Sequence, residues 1–429
     1  MIQLADLSDS DLKALHERVR AQYEAFKGRG LALNMARGKP SAEQLDLAES
    51  LLDKPGTGHH TASDGTDCRN YGGLEGLPEI RELFAGVLGA KPEQVIAAGN
   101  ASLTLMHDHI VFSLLKGNPD SDQPWERGGP VRFLCPVPGY DRHFAVCQEY
   151  GIEMINVPMG PDGPDMDRVE ELVAADPAVK GIWCVPKYSN PTGAVYSDEV
   201  VQRLARMETA AADFRIFWDN AYAVHHLTEE RVEIPSLLEA CERAGNPNRA
   251  LVFGSTSKIT FAGAGVALFA GAQANREWFL QCMSKQTIGP DKINQLRHAQ
   301  LMPDVQALHH LMDAHREIMA PKFRAVESTF DKLLSEPHVA EWTKPKGGYF
   351  ISLDTPPGCA RRAVDLAKEA GLTVTPAGAA FPYGKDPQDS NIRVAPSFPS
   401  LQEVEQAAEG IALCVMLAAS EQAVSQRSP

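Results

Sequence analysis

The sequence predicts an α/β fold built on a mostly parallel sheet, joined to a second, smaller α+β unit. Three observations predict it. From residue 94 to 270 short apolar runs alternate with segments of helical periodicity, the pattern of βαβ units whose strands are buried on both faces. Several of these runs end in small, polar or ionisable residues, and in open α/β sheets the carboxyl ends of the strands face the ligand crevice. Beyond a long helical stretch at 304–335 the pattern changes to isolated strands interspersed with helices.

In chain order, 9–27 reads as a helix: Leu12, Leu15, Val19 and Tyr23 recur at helical spacing, and Ser8 or Ser10 can cap it. Residues 28–75, rich in Gly, Pro and Asp, read as an irregular arm. Strands at 94–98, 131–135 and 180–185 precede helices at 102–116, 140–150 and 197–211, and further strand runs follow at 214–218, 249–253 and 266–270. After the long helix, 348–353, 372–375 and 392–395 are strand-like, while 360–370 and 401–419 are helical. Residues 420–429 are polar and expected to fray.

A chain of 429 residues suggests two to three domains, at roughly 150 residues each. With 44% hydrophobic and 23% charged residues it can build sizeable cores. The net charge of −15 argues against nucleic acid as a partner, yet leaves room for a locally positive pocket. The apolar run at 411–419 is about half the roughly 20 residues that cross a bilayer, so no membrane association is expected. The N-terminus begins with acidic and polar residues, without a secretory pattern. Eight cysteines form no CxxC pair, and several lie in apolar runs such as Phe133-Leu134-Cys135 and Trp183-Cys184-Val185. They read as buried thiols in a reducing cytoplasm. His107 and His109 point to different helix faces, and the pairs 59–60, 225–226 and 309–310 lack supporting ligands, so no metal site is expected.

The most informative segment is Leu251-Val-Phe-Gly-Ser-Thr-Ser-Lys258, followed by Phe261-Ala-Gly-Ala-Gly265. An apolar strand ends in small hydroxyl residues, whose hydroxyls and amides suit a phosphate, and then in one lysine able to form a Schiff base with an aldehyde cofactor. Read alone, Lys258 is more readily a surface lysine after a strand. A P-loop is set aside because no glycine precedes the lysine and no Ser or Thr directly follows it. Other strand ends are similarly specific: Trp218-Asp219-Asn-Ala-Tyr222, Ser189-Asn190-Pro-Thr-Gly193, Gly99-Asn100-Ala101-Ser102 at a helix start, and Pro138-Gly-Tyr140. Each has an ordinary explanation as a turn, a cap or packing; the combination in this order does not.

Asn-Pro-Thr-Gly, Asp-x-Ala-Tyr, Ser-x-Ser-Lys and a late arginine, Arg393, resemble the pyridoxal-phosphate enzymes of fold type I, in the aspartate aminotransferase family, over about residues 34–395. Ala36-Arg-Gly-Lys-Pro-Ser41, Asn70-Tyr-Gly-Gly-Leu-Glu-Gly76 and Gln286-Thr-Ile-Gly-Pro-Asp-Lys292 resemble a divergent bacterial branch of it. The resemblance implies a large domain at 56–317 with a mostly parallel seven-stranded sheet. It also implies an N-terminal arm at 1–55 that contributes to the small domain, and a C-terminal small domain at 318–429. It implies pyridoxal 5′-phosphate as cofactor, amino acids and 2-oxo acids as substrates, with aspartate and 2-oxoglutarate foremost, and a homodimer with shared active sites.

By the same resemblance Lys258 holds the cofactor and serves as general base, Asp219 pairs with the pyridine nitrogen, and Tyr222 and Asn190 bind its phenolic oxygen. Tyr140 stacks on the ring. The amides of Ala101 and Ser102 and the Ser255 hydroxyl hold the phosphate, which Tyr71 reaches from the neighbouring subunit. Arg393 takes the substrate α-carboxylate, approached by the backbone of Gly38. One departure stands out. The family places a phosphate-binding arginine eight residues after the lysine, where this chain has Val266; Lys292 and Lys285 are candidates to compensate. For a second substrate carboxylate, Arg37, Lys39, Arg142, Lys292 and Arg297 are all available. The rivals are a β-lyase or an aminotransferase with an aromatic or other donor, both sharing the cofactor machinery, and a DNA-binding regulator with an aminotransferase-like domain. The regulator is disfavoured because the 33 residues before Asn34 are too few for a winged helix.

Overall fold

The computed structural model describes residues 3–427. Its main sheet has the spatial order Val95–Ala97, Ala267–Gly271, Ala250–Ser255, Arg215–Asp219, Val179–Cys184, Arg132–Val137, Glu153–Gly160 and Gly163–Pro164. The central pairings are parallel, and Ala267–Gly271 runs antiparallel to both neighbours. Seven strands make the expected sheet; the two-residue Gly163–Pro164 only extends its edge as a hairpin. Periodicity did not single out Glu153–Gly160, which is an outer strand carrying alternately buried and exposed residues and a proline and so lacks the continuous apolar run of the inner strands.

The inner strands are buried on both faces, with aliphatic side chains on one side and an aromatic-rich layer of Phe133, Trp183, Phe217, Phe253, Phe269 and Phe279 on the other. A separate core gathers both ends of the chain. The helix Asp9–Lys27, capped by Ser8 (Asp11 N–H to Ser8 Oγ, 3.2 Å), buries Leu12, Leu15, Val19, Tyr23 and Phe26. It packs with the C-terminal helix Leu401–Arg427 and with the second half of the helix Val305–Leu334. The arm is not wholly irregular: it holds the short helix Ala42–Asp46, and Leu33–Asn34 pairs with Leu372–Thr373 in parallel. A three-stranded antiparallel sheet of Glu341–Trp342, Ile351–Asp354 and Asn391–Val394 completes this core.

The C-terminal helix corrects one expectation. It runs to Arg427 instead of fraying at 420, because Arg427 donates to the carbonyls of Leu4, Ala5 and Leu7 and pairs with Asp9 at 3.1 Å. By length and composition it is also apolar enough to span a bilayer, but 72% of its apolar window is buried inside the fold; it is a core helix. Pro429 and Ser428 lie outside the described residues. All eight cysteines are buried free thiols.

Candidate active site

Lys258 sits on a turn fixed from three directions. After the strand Ala250–Ser255 the backbone doubles back: Thr256 N–H donates to Val266 O (2.9 Å), Val266 N–H to Thr256 Oγ1 (2.9 Å), and Ile259 and Thr260 N–H to Thr256 O (2.8 and 2.9 Å). His298 Nε2 contacts the Thr260 and Thr256 hydroxyls (2.8 and 3.1 Å). From behind, His315 donates to Ile259 O (2.9 Å), so its Nε2 carries the proton and its Nδ1 accepts from Gln44 Nε2 (3.0 Å). Gln44 also donates to the Tyr349 hydroxyl (3.0 Å), which donates to Lys258 O (3.4 Å), and His225 Nε2 reaches the same carbonyl (3.3 Å). Gln44, His225, His315 and Tyr349 carried no signal in the sequence; they come from four distant segments and meet only in the fold. The Lys258 side chain lies 5.1 Å from the Tyr222 ring centroid. Burial pulls its pKa below that of an ordinary lysine, against the opposing pull of the Asp219 charge, which favours a neutral, nucleophilic amine.

The neighbouring strand Arg215–Asp219 delivers Asp219, which is buried. Its Oδ2 lies 3.0 Å from His143 Nε2, while its Oδ1 has no hydrogen-bond partner among the described residues. A buried carboxylate oxygen left so is costly, and it marks the place of a ligand donor. His143 stacks on Trp183 (centroids 4.3 Å, planes 9° apart) and meets Tyr140 edge-on (4.9 Å, 76°). His143 was not foreseen, although three residues after Tyr140, on the helix Asp141–Glu149, is where a second side chain falls on one helix face. Burial and the Asp219 charge push the Tyr140 phenol upward; burial, Tyr140 and Asp219 do the same to Tyr222. Both are hydrogen-bond donors throughout the neutral range.

Arg393 lies on the strand Asn391–Val394 and is 9% exposed. Its Nη1 donates to Asp141 Oδ1 (2.7 Å) and Asn190 Oδ1 (3.4 Å), its Nε to Thr375 Oγ1 (3.4 Å), and its guanidinium lies 5.0 Å from the Phe350 ring centroid. Phe350 fills the space beside Gly38, where a Cβ would stand 2.3 Å from its Cζ. The structure thus brings Gly38, Asn190 and Arg393 together, and Lys258, Tyr222, Asp219 and Tyr140 into one adjoining group.

The helix Ser102–Lys116 starts at Ala101 with no side-chain cap and no acidic residue in its first turn, which leaves its first amides for an anion. Ser257 Oγ donates to Asn100 O (3.2 Å), tying the lysine turn to that helix start, and Ser255 closes the adjoining strand. Val266 is buried in the aliphatic core beneath the sheet. Two of the candidate cations are spent elsewhere: Lys292, buried, donates to Gly72 O (2.6 Å), and Arg297 to Lys54 O (2.5 Å). Lys285, Arg37, Lys39 and Arg142 are exposed; Lys39 lies 3.7 Å from the Phe398 ring centroid. Tyr71, on the loop that Lys292 braces, is 82% exposed.

A doubly wound sheet with an amine at one strand end and a half-satisfied carboxylate at the next defines a fold type I pyridoxal-phosphate enzyme. The aspartate amino-transferase family model matches residues 7–427. A relative from Mycolicibacterium smegmatis is 55% identical over 97% of each chain. An aspartate aminotransferase of Corynebacterium glutamicum is 50% identical, over 98% of this chain and 97% of its own. The crystal structure of an aspartate transaminase from Corynebacterium glutamicum superposes with a TM-score of 0.97 at 50% identity, covering 98% of this chain and 99% of that one. The chain belongs to the aspartate aminotransferase family and is an aminotransferase.

Proposed function

We propose that the protein transfers an amino group from aspartate to 2-oxoglutarate, giving oxaloacetate and glutamate in a ping-pong cycle. The observation that carries this reading is the pairing of two groups suited to a ligand: Asp219 Oδ1, which has no hydrogen-bond partner among the described residues, near the Lys258 amine, and the buried Arg393 guanidinium beside Asn190. Bound pyridoxal phosphate supplies an electron sink for the substrate Cα carbanion.

The chain's own residues do the rest. Asp219, oriented by His143, would keep a proton on the pyridine nitrogen, and Tyr222 and Asn190 would donate to the phenolic oxygen. Tyr140 would cover the ring face. Ala101, Ser102 and Ser255 would hold the phosphate, joined by Tyr71 of the partner subunit in a homodimer. With Val266 apolar and Lys292 committed to Gly72, the helix start and the hydroxyls would carry that task. The Lys258 amine, depressed by burial, would move the proton at the substrate Cα. Arg393 would hold the α-carboxylate in a fork geometry. Arg37 and Lys39, which flank Gly38 and form no ion pair among the described residues, would meet the side-chain carboxylate.

In this reading residues 56–317 bind the cofactor, and 1–55 with 318–429 form the smaller domain of a cytoplasmic enzyme. A steady-state panel of amino donors with 2-oxoglutarate tests it: aspartate should give the highest kcat/KM, with glutamate formed in equal amount to oxaloacetate. Release of pyruvate and ammonia, or an aromatic donor ahead of aspartate, would refute it.

A further inference from the structure

We propose that Asp141 is a resident stand-in for the substrate carboxylate, occupying Arg393 when the site is empty and displaced when substrate binds. The inference rests on the reading of Arg393 as the α-carboxylate receptor. A guanidinium 9% exposed cannot be left without an anion cheaply, and Asp141 Oδ1 meets it at 2.7 Å.

The two partners are held very differently. Arg393 is also anchored by Thr375, Asn190 and the Phe350 ring, whereas the Asp141 carboxylate makes no other hydrogen bond among the described residues and its side chain is 36% exposed. When a second carboxylate arrives, Asp141 is the group free to leave. It has somewhere favourable to go: it is the first residue of the helix Asp141–Glu149, so a carboxylate turned to water there still faces the positive end of the helix. Substrate binding is therefore an exchange of one carboxylate for another on a fixed cation. The exchange conceals most of the attraction Arg393 would otherwise show to any small anion. A ligand gains only through its further contacts, which selects molecules carrying a second recognisable group over lone monocarboxylates and inorganic anions.

The test uses the cofactor-loaded enzyme and two readouts: KM and kcat for aspartate and 2-oxoglutarate, and the calorimetric Kd of the unreactive dicarboxylate succinate and the monocarboxylate propionate. Asp141→Asn should lower both KM values and the succinate Kd by about tenfold, the worth of one charged hydrogen bond, and propionate binding should become measurable. Asp141→Glu, which keeps the competing charge, should stay near the parent, and Asp141→Ser should repeat the effect of asparagine. Unchanged or raised KM and Kd in the asparagine and serine variants would overturn the proposal, the raised values showing that Asp141 aims Arg393 instead of competing for it. Arg393→Gln separates the two levels. If it weakens succinate binding while Asp141→Asn fails to strengthen it, only the stand-in is lost; if it leaves succinate binding intact, the assignment of Arg393 falls as well.

Discussion

Replacing Gly38 by alanine probes the proposed substrate end of the site with a single methyl group. Gly38 does not occupy the left-handed region, so alanine meets no backbone penalty; the whole effect is contact. The new Cβ would stand 2.3, 2.8 and 3.0 Å from Cζ, Cε1 and Cε2 of Phe350, where ordinary contact begins near 3.4 Å. Either the ring or the arm must yield by about 1 Å in a close-packed interior. The ring cannot retreat freely, because the Arg393 guanidinium lies 5.0 Å from its centroid and is itself pinned to Thr375 and Asn190. A displacement of that size at a substrate-orienting group costs on the order of a hundredfold in kcat/KM, and overpacking costs about 1–3 kcal/mol of stability. Steady-state kinetics with aspartate and 2-oxoglutarate, beside urea unfolding, measure both. Phe350→Leu, which removes the far end of the ring, should restore part of the loss when combined with Gly38→Ala, giving a non-additive cycle. A Gly38→Ala enzyme within twofold of the parent in kcat/KM, or a double variant no better than the product of the singles, would refute the coupling of arm, ring and arginine.

Val266→Arg, which would put an arginine eight residues after Lys258, should not improve cofactor retention. It would set a charge in an aliphatic core and cost more than about 3 kcal/mol at a position 1% exposed; urea unfolding checks it, and a folded variant with tighter cofactor binding contradicts it. Stability should also fall in acid. His109, enclosed by Phe217, Phe253, Phe269, Trp278 and Phe279, is pushed down to about 3 by burial. Its folded pKa lies below its unfolded one, so between about 6.5 and 3 the unfolded chain binds the extra proton, and this residue alone removes about 1.4 kcal/mol per pH unit as pH falls. His109→Phe should flatten the slope of unfolding free energy against pH between 6 and 4 by one proton; an unaltered slope refutes the assignment.

Strands buried on both faces were legible because their apolar runs are unbroken, as in 249–253 and 214–218. The edge strand Glu153–Gly160 was not, since its half-exposed alternation is interrupted by Pro158. The proposed site residues stand out where local spacing carries meaning: Lys258, Asp219, Tyr222 and Asn190 each lie within a few residues of a strand end. What escaped was whatever acts across long sequence separations. His143 against Asp219, Asp141 against Arg393 and Gln44 against His315 are hydrogen-bonded pairs 76, 252 and 271 residues apart, and no periodicity records them. The arm at 33–44 was read as irregular because its pairing partners lie at 371–373 and 395.

That arm has a consequence for how the enzyme is made. The helix Asp9–Lys27 buries its apolar face against a helix that begins at Leu401, and Met35 is bonded to Thr373 and Ala395. On the ribosome the helix Asp9–Lys27 must wait, with its apolar stripe uncovered, until residues 401–427 have been made. The sheet that carries Lys258 can collapse meanwhile, but the Lys258 carbonyl gains Tyr349, and Tyr349 gains Gln44, only after the chain has closed on itself. The arrangement is a clasp: segments far apart in the sequence lock together, and in doing so they brace Lys258. A chain made only as far as the sheet would hold Lys258 and Asp219 without the frame that fixes them.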